Sequence, residues 1–339
     1  MRAIRRGMCA LLLAAMGLGI GVAQAARPAP SAWDQDRVLG RGVNVIGYDP
    51  LWKDFRKGRF KAYHFQKIRA AGFSSVRIVL GSFEHMDAHN RLPQKWIDTL
   101  DWAINGATHA GLNVIVDEHD FNACSEHPDA CHDKLLAFWR QVAPHLRKRG
   151  DNVLFELLNE PHDPIDAARW NAMLRELIPL VRKSNPTRTL VIGPTQWNSL
   201  RQLDTLELPE KDRHIIVTFH YYDPMRFTHQ GASWVPAYTN VSGVTCCTAE
   251  ERATIDKDFD QVSAWSSAHD RPILLGEFGA REGGDMASRV AWTSAVARSA
   301  ERHGFAWAYW QFDGDFVVWD MKKDDWVRPI LKALIPNRD

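Results

Sequence analysis

Short apolar runs alternate with longer amphipathic segments along most of this chain of 339 residues. Runs of this kind, bounded by glycine, proline and polar residues, are typical of buried strands. Eight of them predict strands at 42–46, 75–79, 113–117, 152–160, 189–192, 215–219, 271–277 and 305–309. The fourth run stops at Asn159-Glu160-Pro161, because proline cannot donate a strand hydrogen bond and disfavours helix in the residue before it.

The segments between these runs carry apolar residues at helical spacing. The clearest segment ends at Gly111 and places on one side the residues Ile97, Leu100, Ala103, Ile104 and Ala107. Helices are predicted at 60–71, 96–110, 134–149, 166–184, 250–269 and 285–303. The helix at 166–184 is expected to break or bend near Pro179, since proline removes a helical hydrogen bond.

Eight strands that alternate with helices predict one α/β domain in which all strands run parallel. Eight such units close as a (β/α)8 barrel, the TIM barrel, and a single domain of this length suits that fold. A doubly wound sheet is the alternative. It would require a glycine-rich phosphate loop after the first strand, and Gly42-Val-Asn-Val-Ile-Gly47 lacks the spacing of such a loop.

Residues 1–25 have the pattern of a signal peptide. Three arginines precede an apolar stretch at 8–22, and Ala23-Gln24-Ala25 is a small-x-small cleavage site. We expect cleavage after Ala25, secretion or a periplasmic location, and a mature catalytic domain at 26–339. A retained N-terminal anchor is the alternative, although the apolar stretch is shorter than a membrane span requires.

The charge of the chain is nearly balanced, with 42 basic and 41 acidic residues. Removing three arginines with the leader gives 39 basic residues against 41 acidic ones, a net charge of −2. This balance favours neither nucleic acid nor an anionic membrane as a partner. We expect a monomer that needs no cofactor.

Four cysteines lie after the leader. Cys124 and Cys131 close a short loop, and they are predicted to form a disulfide in an oxidising compartment. The adjacent Cys246 and Cys247 are expected either to form a strained vicinal disulfide or to stay free. A zinc site is the other interpretation, but the spacing lacks paired C-x-x-C motifs.

Two glutamates, Glu160 and Glu277, end apolar runs in the same way. A barrel collects functional side chains where its strands end, so the two carboxyl groups should face each other across one mouth. Facing carboxyls suit glycoside hydrolysis, in which one protonates the leaving oxygen while the other attacks the anomeric carbon. The alternative is that each glutamate forms a structural ion pair with a nearby lysine or arginine.

We expect other polar and aromatic residues near the strand ends to bind sugar or to support the two glutamates. Asn159 should bind a sugar hydroxyl, and Arg77 and Tyr222 should hold Glu277 ionised. His119 and His220 should donate to the sugar or to the carboxylates. Aromatic faces suit sugar C–H bonds, so stacking on sugars is expected of Trp310 and, in loops near the strand ends, of Trp52, Trp197, Trp234 and Trp319.

The motifs Leu158-Asn-Glu-Pro161 and Gly276-Glu-Phe-Gly279 resemble the acid/base and nucleophile signatures of glycoside hydrolase family 5, the cellulase family. The resemblance covers nearly the whole mature chain. It implies a retaining mechanism with Glu160 as the acid/base and Glu277 as the nucleophile. The eight active-site positions that the family shares correspond to Arg77, His119, Asn159, Glu160, His220, Tyr222, Glu277 and Trp310. The segment 222–234 is similar to loops of bacterial endo-β-1,4-glucanases, while mannan, xyloglucan or mixed-linkage glucan stay as alternative substrates.

Two short segments differ from the common family pattern. His119 is followed by Asp120, and the last strand by Gln311-Phe312-Asp313, which leaves substrate preference open. Outside this family, the chain could be a metal-dependent barrel hydrolase with Asp117, His119 and His220 as ligands, but Asn44 stands where such enzymes usually carry a His-x-His motif. A carbohydrate-binding protein without catalysis is a further alternative, although both glutamates are present.

Overall fold

The strands form a closed barrel in a computed structural model that describes residues 29–336. The eight strands run parallel in the order of the chain, and the first pairs with the last. They are β1 (Arg41–Val45), β2 (Ser75–Leu80), β3 (Asn113–Glu118), β4 (Val153–Glu156), β5 (Leu190–Ile192), β6 (Ile215–His220), β7 (Ile273–Phe278) and β8 (Ala306–Tyr309). A two-stranded antiparallel hairpin follows, made of β9 (Trp319–Asp320) and β10 (Asp325–Trp326). The predicted TIM barrel is confirmed.

Helices connect successive barrel strands, as parallel strands require. In chain order they are α1 (Ala32–Leu39), α2 (Ala62–Ala71), α3 (Gln94–His109), α4 (Phe121–Glu126), α5 (Pro128–His145), α6 (Ala167–Arg182), α7 (Thr195–Asn198), α8 (Met225–Thr228), α9 (Ala249–His269), α10 (Met286–Arg302) and α11 (Arg328–Leu334). The helix does not break at Pro179, because α6 continues through it as one helix, so that part of the prediction was wrong. No helix among residues 29–336 is long and apolar enough to cross a membrane.

The bottom of the barrel is closed by α1, which the sequence did not predict. Ser31 begins this helix with a capping box to Asp34. Ala32 and Leu39 pack against an apolar cluster inside the barrel, to which the strands contribute Ile115, Leu154, Val191, Ile216, Leu274 and Ala306. This closed end leaves the opposite mouth, where the strands finish, as the open face.

The fourth strand is shorter than predicted. It ends at Glu156, so Glu160 lies four residues beyond it in a loop rather than on the strand. The backbone after β4 nevertheless stays bonded to β3, because the backbone N–H of Asn159 donates to the Glu118 carbonyl at 2.8 Å. The acidic side chain at position 160 is therefore held by a loop anchored to β3.

Both cysteine pairs after the leader are bonded. Cys124 of α4 joins Cys131 of α5, as predicted, and the adjacent Cys246 and Cys247 form a vicinal disulfide just before α9. The predicted leader at 1–25 lies outside the described residues.

Candidate active site

The residues predicted for the site meet at the mouth of the barrel. Arg77, His220 and Glu277 lie on β2, β6 and β7, while the other members follow the ends of β3, β4, β6 and β8. Hydrogen bonds, one ring contact and a 3.6 Å contact between His220 and Glu277 join all eight into one connected network: Arg77, His119, Asn159, Glu160, His220, Tyr222, Glu277 and Trp310. Because these groups converge and contact one another, the mouth of the barrel holds many preorganised groups that could take part in catalysis.

The two glutamates approach each other through His220. Its Nδ1 lies 2.6 Å from Glu160 Oε1 and 3.6 Å from Glu277 Oε2. A carboxylate oxygen of each glutamate and a ring nitrogen of His220 all lie within 4.8 Å of one another. β7 is three strands away from β4 around the ring, whereas directly opposite strands are four apart. The two carboxyls therefore approach each other from walls that are not directly opposite.

The loop after β4 directs Glu160 into the site. Glu160 has a φ of +41°, in the left-handed region that non-glycine residues rarely adopt. Nδ1 of His162 hydrogen-bonds the Glu160 carbonyl at 2.8 Å, which stabilises this turn. Thirteen per cent of the Glu160 side chain is exposed, so a bound substrate could reach its carboxyl group.

Asn198 fixes the orientation of His220. Its amide nitrogen lies 3.2 Å from His220 Nε2. Donation by this amide requires a lone pair on Nε2, which leaves the ring proton on Nδ1, facing Glu160. Gln196, Trp197 and Asn198 have φ values of +56°, +57° and +54°, so the short element α7 after β5 is a left-handed turn rather than a regular helix, and this turn places the amide. The sequence predicted neither Asn198 nor this turn.

Arg77 is the central cation of the site and is fully buried. Its guanidinium contacts Glu277 at 2.8 Å, Asp117 at 3.1 Å and Glu156 at 2.6 and 2.8 Å. Burial by itself would lower the pKa of Arg77, but the neighbouring carboxylates prevail and raise it, so the side chain stays charged. One positive charge therefore forms ion pairs with three buried carboxyl groups.

Two of those acids were not assigned this role from the sequence. Asp117 was considered only as a metal ligand, and Glu156 was not considered at all. Burial raises the pKa of Asp117 to about 7, and it also raises the pKa of Glu156. The available signal was an acid within the apolar run Val153-Leu-Phe-Glu156, since a buried carboxyl needs a partner.

Glu277 receives two strong donors. Arg77 Nη1 donates to Oε1 and the Tyr222 hydroxyl donates to Oε2, both at 2.8 Å. These bonds favour the ionised form and fix the direction of the carboxylate. Burial is the larger influence, however, and the pKa of Glu277 is raised above its ordinary value.

Among residues 29–336, no arginine contacts the Glu160 carboxyl directly. Burial raises its pKa to about 7, although His119 and Arg77 act in the opposite direction. Its hydrogen-bond partner His220 stays neutral, because burial lowers the pKa of that imidazole to about 4. The two glutamates therefore have unequal surroundings: Glu277 is held by a cation and a phenol, and Glu160 by a neutral ring.

His119 lies beside Asp117, one of the three buried acids that contact Arg77. Its Nδ1 is 2.6 Å from Asp117 Oδ2, and its Nε2 is 3.4 Å from the amide nitrogen of Asn159. Burial lowers the pKa of His119 to about 4, so the ring is neutral. Trp310 lies parallel to it, with ring centroids 5.5 Å apart, and only 8% of Trp310 is exposed.

Asn44 has a supporting role within the protein. Its amide nitrogen donates to backbone carbonyls of Gly276, Ala308 and Tyr309, and its oxygen accepts from Arg77 at 2.9 Å. Asn44 is fully buried, so it orients the arginine and ties β1 to β7 and β8.

The predicted tryptophan platforms divide into two groups. Trp197 is 49% exposed and stacks on His162, and Trp234 is 51% exposed beside Arg281. Trp319 is only 1% exposed and stacks on Phe312, so predicting it as a platform was wrong. Trp52 is 6% exposed and stacks on Trp96, but it lines the same open cleft as His119, so its role stays a prediction.

The segments that differ from the family pattern serve partly structural purposes. Asp120 accepts backbone hydrogen bonds from Ser82 and Phe83 and so anchors the loop after β2. Asp313 is buried and forms an ion pair with Arg59 at 3.0 Å.

Within residues 29–336, two clusters place at least three metal-binding side chains close together. One is Glu160, His220 and Glu277, and the other is Cys246, Cys247 and Glu251. Asp117, His119 and His220, the predicted ligands of a metal-dependent hydrolase, are not brought together in this way. The first cluster could bind a cation only through the two carboxyls and the His220 imidazole already described.

Comparison with known proteins gives a consistent result. The family model described as cellulase (glycosyl hydrolase family 5) matches residues 38–315. Endoglucanase H of Acetivibrio thermocellus is 28% identical over 88% of this chain, which spans 33% of that relative's length. Endoglucanase C of the same organism is 24% identical over 87% of this chain and 96% of its own.

Solved structures extend the likeness. The endoglucanase Cel5A of Thermotoga maritima superposes with a TM-score of 0.85 at 33% identity, covering 90% of this chain and 100% of its own. Structures of that protein in complex with cellobiose and with mannotriose match equally well, at 32% identity.

Proposed function

This chain belongs to the cellulase family, glycosyl hydrolase family 5, and is a glycoside hydrolase of the cellulase type, and we propose that it is a retaining endo-β-1,4-glucanase. One observation carries the mechanism: oxygens of Glu160 and Glu277 lie within 4.8 Å of each other. Retaining glycosidases hold their carboxyls about 5–5.5 Å apart, whereas inverting enzymes leave room for water at about 6.5–9.5 Å.

In the first step Glu277 acts as the nucleophile. A carboxylate oxygen attacks the anomeric carbon, the bond from that carbon to the leaving oxygen breaks, and a glycosyl ester forms on Glu277. The Arg77 and Tyr222 donors support this role, because they favour the ionised form of Glu277 before attack. Glu160 transfers its proton to the leaving oxygen, so the departing sugar leaves as a neutral alcohol.

In the second step Glu160 acts as the base. It is now ionised, and it removes a proton from a water molecule as the water oxygen attacks the anomeric carbon. The ester bond to Glu277 breaks, and the product keeps its original configuration. A pKa raised to about 7 suits a group that must both give and take a proton near neutral pH.

β-Glucan is the proposed substrate, and mannan is the second candidate. The glucan proposal is supported by relatives named endoglucanase, and the mannan alternative by the mannotriose complex of the Thermotoga maritima protein. Xyloglucan and mixed-linkage glucan are outcomes of the same assay. Carboxymethylcellulose, barley glucan, mannan and xyloglucan should be compared side by side, and higher activity on mannan would overturn the glucan assignment.

Azide rescue tests the mechanism. In Glu277→Ala the acid remains, so azide should attack an activated β-glycoside from the vacated side and give an α-glycosyl azide. In Glu160→Ala the ester still forms, and azide should then give a β-glycosyl azide. Product configuration is read by NMR. The same azide configuration from both variants would contradict the assigned roles.

We also propose that the chain is exported after removal of residues 1–25. Support comes from the order of basic, apolar and small residues in this segment, and from the disulfide between Cys124 and Cys131, which suits an oxidising compartment. The mature enzyme is proposed to be a monomer. N-terminal sequencing of the exported protein should begin at Ala26, and an intact Met1 would contradict the proposal.

A further inference from the structure

Arg289 is a buried cation that has no counterion among residues 29–336. It lies on α10, and only 4% of the residue is exposed. Its Nε donates to the Ala280 carbonyl at 3.1 Å, but its guanidinium forms no ion pair with any carboxylate in the described part of the chain. A buried charge is costly unless a charge of the opposite sign lies beside it. A negatively charged partner is therefore expected at this position.

Two hydroxyl groups near this guanidinium are also unpaired. They belong to Thr293 of α10 and Tyr309 of β8, and both residues are fully buried. Among the residues that the structure describes, no group lies within hydrogen-bonding distance of Thr293 Oγ1, Tyr309 Oη or Arg289 Nη2. Buried donors are nearly always paired, so three unpaired donors in one place indicate a ligand that accepts from them.

Thr293 differs from other threonines in the helices of this barrel. A helical threonine often donates to the carbonyl four residues before it. For Thr293 that carbonyl is the one of Arg289, and the bond is not made. Its hydroxyl therefore stays available to a group outside its own helix. The usual bond is present at Thr99, Thr108 and Thr254.

The three side chains meet between α10 and the barrel. Arg289 and Thr293 are four residues apart, so they share one face of the helix. Burial raises the pKa of Tyr309 to about 12, while Arg289 and Thr293 act in the opposite direction, which places both groups close to the phenol. The phenol therefore keeps its proton at neutral pH and remains a donor.

This cluster lies behind the proposed nucleophile rather than in the mouth. The Tyr309 ring packs on Phe278 with centroids 5.5 Å apart, and Phe278 also contacts Trp292 of α10. Neighbouring residues of a strand point to opposite faces, so Phe278 faces outward and Glu277 faces the mouth. A ligand of the cluster would therefore join α10 to β7 and β8 without touching the substrate.

The chemistry of the cluster favours a small anion. A guanidinium and two hydroxyl groups all present hydrogen-bond donors, and an anion accepts from each of them. Water fits less well, because it would leave the charge of Arg289 uncompensated. All three residues are at most 4% exposed, so the site is closed to a polysaccharide. We propose that Arg289, Thr293 and Tyr309 bind a chloride ion, which stabilises the contact of α10 with β7 and β8.

A chloride titration of the whole protein tests this site. Urea unfolding is followed by tryptophan fluorescence while chloride replaces methanesulfonate stepwise at constant ionic strength. A ligand that binds only the folded state stabilises it according to its concentration relative to its dissociation constant. Chloride at about ten to a hundred times that constant should lower the equilibrium constant of unfolding by about tenfold to a hundredfold, along the curve of a single site.

Variants of the three donors should weaken this dependence. Thr293→Val and Tyr309→Phe each remove one hydroxyl at nearly constant shape, and each should raise the dissociation constant of chloride by about tenfold or more, the loss of one hydrogen bond to a charged group. Arg289→Met should abolish the dependence. The matched control is Arg302→Met on the same helix, since that side chain is 57% exposed and pairs with Asp256. It should keep the full dependence on chloride.

Bromide locates the ion without any variant. Wild-type crystals grown with bromide in place of chloride should show an anomalous scattering peak between Arg289 and Tyr309. No peak at this cluster, a wild-type stability that is independent of chloride, or full chloride dependence in both hydroxyl variants would each overturn the anion site. None of these measurements depends on hydrolysis, so failure of the anion site would leave the proposed function unaffected.

Discussion

Nδ1 of His220 lies 2.6 Å from a carboxylate oxygen of Glu160, and Asn198 faces the other nitrogen of the same ring. Glu160, the proposed proton donor, is therefore supported by a neutral, oriented imidazole rather than by a cation. A neutral partner leaves the pKa of Glu160 near 7, where a charged partner would lower it. This contact distinguishes Glu160 from Glu277, which lies against Arg77.

Removal of the proton donor should affect substrates according to their leaving groups. Glu160→Gln is expected to lower kcat on β-glucan by about a hundredfold to ten-thousandfold, the usual contribution of a general acid. A dinitrophenyl leaving group needs no protonation, so the first step on such a substrate should be much less affected. Pre-steady-state release of dinitrophenol measures that step.

An equal loss of the first step on both kinds of substrate would contradict the assignment of Glu160. Glu207→Gln is the matched control, because Glu207 pairs with Arg175 at the exposed surface. That variant should retain full activity on both substrates.

The pH dependence of kcat/KM should be bell-shaped. Glu160 acts as an acid only when protonated, so activity should fall as pH rises through about 7. Glu277 attacks only when ionised, and burial raises its pKa above the ordinary value of 4.5, so the acid limb should lie above pH 4.5. In Glu160→Gln, with a dinitrophenyl substrate, the alkaline limb should disappear. A rate that stays constant through neutral pH in the wild type would contradict this prediction.

Most of the barrel could be predicted from the sequence, because buried parallel strands are continuous apolar runs and helices have a different period. The errors arose where local rules compete with tertiary contacts. The fourth strand ends at Glu156 rather than near Glu160, since apolar residues 157 and 158 pack in the core without strand geometry. Pro179 lies inside α6 because the helix packs along its apolar face.

The two proposed catalytic residues were easier to predict than the residues that support them. Glu160 and Glu277 end apolar runs, which is a local signal. Glu156 and Asn198 gave no comparable signal, because their importance depends on contacts with Arg77 and His220 that are distant in sequence. The left-handed turn after β5 also lacks a glycine that would have indicated it.

Loss of the central cation should destabilise the fold. Arg77→Met leaves Asp117, Glu156 and Glu277 buried without their counterion, and the free energy of unfolding should fall by about 3–5 kcal/mol. Urea unfolding followed by tryptophan fluorescence measures this change. Adding Glu156→Gln to Arg77→Met should restore part of the loss, because one uncompensated acid is removed.

The matched control is Arg201→Met, whose partner Asp223 is exposed. Exposed ion pairs contribute about 0–1 kcal/mol, so this variant should unfold almost like the wild type. Equal stabilities for the two arginine variants would show that Arg77 does not hold the buried acids together.

Chelation of metals should leave activity unchanged. Glu160, His220 and Glu277 could bind a divalent cation, but a cation there would occupy the carboxyls that must exchange a proton and attack carbon. Added zinc is therefore expected to inhibit, and EDTA to reverse that inhibition. Complete loss of activity in EDTA, restored by zinc, would support a metal-dependent hydrolase and overturn the carboxylate mechanism.

Trp197 should contribute to binding of the leaving part of the polymer. Its exposed ring stacks on His162 with centroids 4.6 Å apart, and His162 hydrogen-bonds the Glu160 carbonyl. Trp197→Ala should lower kcat/KM on cellopentaose by about threefold to tenfold through loss of one stacking contact. β-Cellobiosyl fluoride, which has no sugar as its leaving group, should be hydrolysed at the wild-type rate.

The control for this change is Trp33→Ala, since Trp33 is exposed to a similar extent but lies on α1, at the closed end of the barrel. It should leave both substrates unaffected. If Trp197→Ala slows the fluoride as much as the pentasaccharide, then the ring acts by positioning Glu160 through His162 rather than by binding sugar. That result would move Trp197 from the sugar groove to the support of the proton donor.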